Sequence, residues 1–329
     1  MRFSSLSSRL SAAALVTLAC SVGPALAQWQ PTRNVEIIAP AAAGSALDSM
    51  SRQLQRVIQE KRLVSVSTTV VNRTGGGNAV GFAYLSSRTG DAHYLLVTPL
   101  TIITNRMMGG NPLNYQDFTP IAMLADEHIA FVVNPNSTIK SGRDLLERLK
   151  KDPESVSMAL AAALGNANHI AVSLAGKAVG ADTKRFKIAV FNSSGESITA
   201  VLGGHVDLAI TTVGLLGPHV QAGRLRVVAV AAKERLGGAL SQAPTWREQG
   251  IDVVFSSWRA VIAPRGITSE QVAYWEGVVA KAVAQEDWLA ALEKSSLSPA
   301  FMGSDATRKL LAQQERELRV ILTELGLAK

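Results

Sequence analysis

Cysteine is almost missing from this chain. The one such residue among 329, Cys20, falls in an N-terminal stretch read below as removable, so the working protein has none. That excludes disulfides, thiolate metal sites and cysteine nucleophiles, and leaves stability to a packed core. Aromatic residues make up only 5% of the chain. The basic residues Arg33, Arg52, Arg56, Lys61, Arg62, Lys140, Arg143, Arg224 and Arg226 are scattered rather than striped among aromatics. No nucleic-acid partner is therefore expected. The formal charge of +7, which includes Arg2 and Arg9, reads as a mild field that favours anionic solutes. The histidines never fall at ligand spacing with one another, so no metal is expected, and no sequence feature calls for a cofactor.

Long hydrophobic runs are also absent. The nearest approach is at the N-terminus, where Arg2 and Arg9 flank an uncharged start and an apolar run extends from Leu10 to Ala19. It ends at Ala25-Leu26-Ala27, a small-x-small site suited to signal peptidase. The run is shorter than the roughly 20 residues of a membrane-spanning helix. Residues 1–27 thus read as a secretory signal cleaved after Ala27, leaving a soluble mature chain. Lipidation at Cys20 is the weaker alternative, because Thr17-Leu18-Ala19 lacks an aliphatic residue three before the cysteine.

What is present is alternation. Val35–Ala39 reads as a strand, and Leu47, Met50, Leu54, Val57 and Ile58 then recur at helical spacing. Val66–Val71 is a second strand, followed by a run of three glycines, a helix over Ala79–Ser86 and a strand over Tyr94–Thr98. The rhythm restarts with strands at Ala130–Val133, Val156–Ala161, Lys187–Val190, Val206–Ile210 and Leu225–Ala231, the last nearly all aliphatic and expected to be buried on both faces. Helices are expected at Ser141–Lys150, Ala167–Val179 and Glu196–Leu202. The tail carries two long amphipathic helices, Ser269–Ala284 and Ser304–Leu325, the second capped by Ser304 or Asp305. Strand–helix alternation of this kind specifies parallel α/β sheets, and about 300 residues suggest two lobes rather than one.

In open α/β sheets, ligands bind where strand ends lead into helix N-termini. Four such corners are built from small and polar residues: Pro40–Asp48, Asn72–Asn78, Ala163–His169 and Phe191–Glu196. Each would present main-chain N–H groups at the positive end of a helix, a setting for a carboxylate. The same residues would equally serve tight turns and close helix packing. No lysine follows the glycines, so a P-loop is excluded, and G-x-G-x-x-G spacing is absent from the first corner. Ser193-Ser194-Gly195 does not make G-x-S-x-G, and no carboxylate pair stands at adjacent strand ends, so an enzyme is not expected. Asp48 suits either a bound hydroxyl or the first-turn amides of its own helix. Trp258-Arg259 reads as a cap on a pocket or as packing between lobes.

Several motifs carry a family resemblance. They are Ile37-Ile38-Ala39-Pro40 with Ala43-Gly44 and Asp48, Asn72-Arg73 with Gly75, Gly77 and Gly81, and Gly90-Asp91 before Tyr94-Leu95-Leu96. Phe118-Thr119-Pro120-Ile121-Ala122, Leu202-Gly203-Gly204-His205-Val206-Asp207, Ala222-Gly223-Arg224-Leu225-Arg226 and Ser257-Trp258-Arg259 follow in order. Together they resemble the substrate-binding proteins of tripartite tricarboxylate transporters, the Bug or TctC-type family, over nearly the whole mature chain.

The resemblance implies an α/β type II periplasmic-binding-protein fold: two α/β lobes joined by hinge strands, with a helical C-terminal segment. Lobe 1 would comprise residues 28–125 plus 260–329, and lobe 2 residues 126–259. The function implied is a monomeric periplasmic receptor that captures a small tri-, di- or aromatic carboxylate and hands it to membrane permease subunits. A ligand-sensing receptor serving a signalling partner is the alternative. Residue by residue, the ligand set implied is Ala43, Gly44, Ser45, Asp48, Gly76, Gly77, Asn78 and Thr98 from one lobe. The other lobe would supply Asn166, Asn168, His169, Ser193, Ser194 and Gly195. The chain departs from the family pattern where Ala41-Ala42 replaces an aromatic–proline pair, at Ser45 and Thr74, and where Asn78 replaces a glycine. Loss of the aromatic would leave room for a bulkier ligand.

Overall fold

The computed structural model describes residues 29–161 and 163–329; the expected signal segment, residues 1–27, lies outside them. The first half of the chain forms β1 (Val35–Ala39), α1 (Ala46–Glu60), β2 (Thr68–Asn72), α2 (Ala79–Ser86), β3 (Tyr94–Thr98) and α3 (Thr101–Met107). A strand of 16 residues, β4 (Phe118–Val133), follows. Then come α4 (Gly142–Lys151), β5 (Met158–Ala161), α5 (Ala167–Ala178), β6 (Ile188–Phe191), α6 (Ser194–Leu202), β7 (Leu208–Thr212), α7 (Gly217–Gln221) and β8 (Arg226–Val230). The chain returns through β9 (Ser256–Pro264) to α8 (Ser269–Val283), α9 (Glu286–Lys294), β10 (Ser298–Met302) and α10 (Ser304–Glu324).

Local chemistry accounts for these elements. The helical spacing read in α1 is its buried stripe: Leu47, Met50, Leu54, Val57 and Ile58 all face the core, and Ser45 caps the helix by accepting the Asp48 N–H. Strand β3 is buried along its whole length, as the unbroken apolar run Tyr94–Val97 requires. Gly81 allows α2 to lie on β1's exit: a Cβ there would stand 2.5 Å from Pro40 Cβ.

The strand order is β2-β1-β3-β9-β4-β7-β5-β6, with β8 and β10 also paired to β4. Strand β4 is the axis. Its first half, Phe118–His128, runs antiparallel to β9, and β10 also pairs with this half; its second half pairs with β7 and β8. Two α/β sheets thus share crossing strands, as the resemblance implied. Parallel β1, β2 and β3 end at Ala39, Asn72 and Thr98 on one sheet, while parallel β5, β6 and β7 end at Ala161, Phe191 and Thr212 on the other. One core cluster runs through both sheets, from Ile38, Phe82 and Leu96 to Phe131, Leu160 and Trp246. Separate clusters cover the opposite faces, one around Leu54, Trp275 and Trp288 and one around Ile198, Val201 and Leu216.

The structure corrects several details of the sequence reading. The strand expected at Ala130–Val133 is the end of the much longer β4, and α3, β9 and β10 lacked any sequence assignment. Strand β8 is only half-buried at Arg226 and Val227, so the two-sided burial expected there holds for its second half alone. The N-cap of α10 is Gly303, without a side-chain hydrogen bond. Ser304 is instead the first helical residue, its hydroxyl donating to Pro120 O and its N–H to Glu276. A packing contact to β4 outweighed the capping preference.

Candidate functional site

The loops that leave β1 and β2 are tied together by asparagine. Asn72 Nδ2 donates to Ala41 O at 2.9 Å and to Asp48 Oδ1 at 2.8 Å, and Asn78 Nδ2 donates to Pro40 O at 2.7 Å. Asn78 Oδ1 accepts from Thr101 Oγ1, which binds the start of α3 into the same unit. Asp48 is buried and fully engaged: it accepts from Gly44 N–H, Asn72 and Arg52. Burial works against its ionisation, but Arg52, Gly44 and Asn72 outweigh that and bring its pKa below the ordinary value. Of the two roles open to Asp48, organising its own loop is the one these bonds fill. Gly44 N–H is spent on Asp48, and Ser45 N–H turns back to Ala42 O. Ala43 and Gly44 are exposed.

The glycine run has a conformational reason at each position. Gly75 adopts φ 135°, and a Cβ there would meet Val80 Cγ2 at 2.9 Å. Gly76 and Gly77 both lie in the left-handed region, at φ 56° and 60°. Gly77 alone faces the other sheet: a Cβ on it would lie 3.6 Å from Asn105 Oδ1 and 3.7 Å from Ala163 Cβ. Gly165, two residues before the start of α5, is likewise pressed on Met108 at the end of α3, where a Cβ would overlap the thioether. The glycine loop and the Ala163–Asn166 loop therefore meet, with α3 between them. Asn105 belongs to this meeting, since its Nδ2 donates to Gly77 O at 2.8 Å.

On the far side, Asn166 caps α5 by accepting His169 N–H at 3.1 Å, and its Nδ2 reaches back to Ala161 O. His169 is 6% exposed. Its Nδ1 accepts Gly165 N–H at 2.9 Å, and burial pushes its pKa down to about 4, so the ring is neutral with its proton on Nε2. Asn168 Oδ1 is buried and has no hydrogen-bond partner. Thr98 is wholly buried, its hydroxyl donating to Pro99 O. Ser193 caps α6 by accepting Glu196 N–H, while the Glu196 carboxylate accepts from Asn192. Ser194 and Gly195 begin α6 beside the sheet-edge strand β6; Gly195 is exposed.

A pattern recurs at α1, α5 and α6. In each, the N-cap side chain takes the N–H of the third helical residue: Asp48, His169 and Glu196. The first two amides of each helix, at Ala46-Leu47, Ala167-Asn168 and Ser194-Gly195, have no carbonyl one turn back and remain donors at the positive pole. Sequence reasoning placed the glycines, asparagines and serines but missed Thr101, Asn105 and Met108. The available signal was polar residues Thr101, Thr104 and Asn105 set among apolar ones directly after β3. Trp258 and Arg259, left open as cap or packing, are both buried; Arg259 forms an ion pair with Glu127 across the crossing strands.

The model of the tripartite tricarboxylate transporter family receptor matches residues 50–327. The chain belongs to that family. This receptor is 26% identical to protein BugT of Bordetella pertussis over 92% of each chain. It is 24% identical to a protein encoded between tcbD and tcbE in Pseudomonas sp. strain P51, over 90% of this chain and 88% of that one. Among solved structures, the periplasmic binding protein BugD superposes with TM-score 0.81 at 20% identity, covering 91% of the receptor and 99% of BugD. Rpa4515 of R. palustris, solved with adipate, gives TM-score 0.81 at 23% identity with the same coverage. The fold of the receptor is thus the type II periplasmic-binding-protein fold that the resemblance implied. Among its described residues, no helix is long and apolar enough to cross a membrane, and no cluster of three His, Cys, Asp or Glu side chains is placed to hold a metal.

Proposed function

We propose that this chain is a periplasmic receptor that closes two lobes on a small organic carboxylate and delivers it to the membrane subunits of a tripartite tricarboxylate-type transporter. The observation that carries this reading is the meeting of Gly77 with Ala163 and of Met108 with Gly165, which supports a shared cleft between helix starts of the two sheets. Bonds from such amides to a charged group contribute about 1.5–3 kcal/mol each. Four or five of them, discounted for ordering, match the roughly −8 kcal/mol of a micromolar ligand without a lysine. Rpa4515 with adipate and MatC with malate supply the carboxylate class by kinship of fold. In this reading residues 28–125 plus 260–329 and residues 126–259 are the two lobes, and β4 and β9 are the hinge. The N-terminal 27 residues are the signal that sends the chain to the periplasm.

Within the proposed set, the amides around Gly76, Gly77 and Asn78 and those opening α5 would hold one carboxylate. Neutral His169 would donate through Nε2, and Asn168 Oδ1 would accept from a ligand hydroxyl. Ala43, Gly44, Ser45 and Thr98 would shape the near wall, with Asp48 holding it in place, while Ser193, Ser194 and Gly195 would close over the rim. The test is a thermal-shift panel of citrate, malate, adipate, benzoate, sugars and amines on the mature protein. A ligand at 100 times its dissociation constant adds about 2.7 kcal/mol, a readable rise in midpoint. A rise with carboxylates alone is the expected result; a rise only with sugars or amines would overturn the ligand class.

A further inference from the structure

Beside the glycine loop lies a feature that ligand capture does not use. Ala79, Val80 and Ala83 of α2 and Asn111, Pro112 and Leu113 after α3 line an open, mainly apolar groove of about 660 Å³. Val80 is 47% exposed there. One helical turn along, Arg73 and Arg88 both lie over the ring of Tyr84, at 4.1 and 4.7 Å. Arg88 also lies 4.9 Å from the ring of Tyr94. Among the described residues neither arginine has a salt-bridge partner, and Nε of each is buried without a hydrogen bond. Glu36 at this stack accepts the Tyr84 hydroxyl. Stacking fixes the two guanidinium planes, and the single Glu36 carboxylate beside them offsets only part of their charge, leaving the rest to be matched from outside.

Both walls of the groove are wired to the ligand loop. Val80 sits against Gly75, and its N–H donates to Gly75 O. Asn105 joins the other wall: its carbonyl accepts Gly110 N–H while its side chain holds Gly77 O. A change at Gly77 therefore reaches both sides of the groove through one asparagine and one helix start.

We propose that this groove and its arginine stack form the docking surface for a membrane subunit of the transporter, a proposal that rests on the receptor reading. The occupant is an extracytoplasmic polypeptide segment that seats an apolar side chain on Val80 and places carboxylates within a helical turn of it, over Arg73 and Arg88. Apolar contact supplies the anchor and the arginines supply orientation and encounter rate.

The test places a benzoylphenylalanine photocrosslinker at residue 80 of the full chain, in its native host with its own transport subunits, and a second at Val320, which is 59% exposed on α10. Irradiation at residue 80 should give an adduct whose crosslinked peptide lies in an acidic extracytoplasmic segment of a membrane subunit. Combined R73E and R88E should lower that adduct at least about tenfold while the purified variant keeps its carboxylate-induced thermal shift. Equal adducts from residue 320, an adduct to lipid, or an adduct to a second copy of this chain would each overturn the proposal. So would absence of the adduct in cells whose carboxylate uptake still depends on this receptor. If deleting the receptor leaves uptake of the panel carboxylates intact, the transport reading itself has failed and the docking surface falls with it.

Discussion

Gly77→Val separates a role in binding from a role in folding. The residue sits at φ 60° and ψ 42°. An L side chain in that region costs roughly 1–2 kcal/mol, and a β-branched one lies at the upper end. Its Cβ would stand 3.6 Å from Asn105 Oδ1 and 3.7 Å from Ala163 Cβ, which is ordinary contact, so the backbone can stay in place. The two methyls beyond Cβ must then enter the gap between the loops or displace the Asn105 amide from Gly77 O. Thermal unfolding should therefore fall by several degrees, at about 2–4 °C per kcal/mol. Affinity should fall tenfold to a hundredfold, the loss expected when one charge-assisted bond of about 1.5–3 kcal/mol is broken. Calorimetric titration with the carboxylate identified by the thermal-shift panel measures this. Gly75→Ala is the control, because its Cβ would strike Val80 at 2.9 Å and its φ is 135°. It should lose stability at least as heavily while a correctly folded fraction binds normally. Parental affinity in Gly77→Val, with a melting curve showing an intact fold, would remove the glycine loop from the site.

His169 gives a pH prediction. Its folded pKa, about 4, lies below the unfolded value near 6.5, so the unfolded chain takes up the proton first. The stability it contributes is complete above pH 6.5 and is lost as pH falls towards 4, by about 3 kcal/mol in all. His169→Gln should flatten that part of the curve of melting temperature against pH; an unchanged slope would refute the assignment. Burial also lowers the pKa of His128 in β4, so the difference between the two proteins, not the parental slope, is the quantity to read. At the crossing strands, Arg259→Met should cost about 3–5 kcal/mol in urea unfolding, because Glu127 would be left buried and unpaired. Adding Glu127→Leu should recover most of that loss, and failure to recover would show that the arginine acts by packing alone. Asp48→Asn should weaken the hold on Gly44 and Arg52 and cost about 1–3 kcal/mol, seen as a lower denaturation midpoint.

How much of this was legible in the sequence varied with the type of signal. Helix α2 was read at its observed bounds, because three glycines and Asn78 punctuate its start sharply before the mostly apolar run Ala79–Leu85. Helix α1 was legible from its five-residue stripe. Strand β4 was not: Phe118–Val133 contains Pro120, Asp126, Glu127 and His128, which break the pattern of a strand. Those polar residues sit where the strand crosses between sheets, so pairing partners rather than periodicity decide their conformation. For the site, the corners of small residues were visible as a class, but the meeting of the glycine loop with the Ala163–Asn166 loop was not. Nothing local in Gly77 or Ala163 encodes that they approach; the register of β4 with β9 and β7 brings them together.

Under the proposed function, the same crossing explains why a carboxylate site could be assembled from uncharged parts. At α1, α5 and α6 the cap side chain consumes the third amide, and the first two stay available at a positive pole. Two such poles in one lobe would repel each other only weakly, yet each alone holds an anion poorly in water. The loop that opens α5 meets the glycine loop at Ala163, and in the proposed site that approach would exclude water and strengthen each bond to a shared carboxylate. A lysine placed there would hold the acid in the open lobe as well, and the ligand would then gain less from closure. Amides divided between two lobes bind strongly only when the lobes meet. On the proposed reading, affinity would in this way be tied to the closed shape, the shape a transporter subunit would have to distinguish.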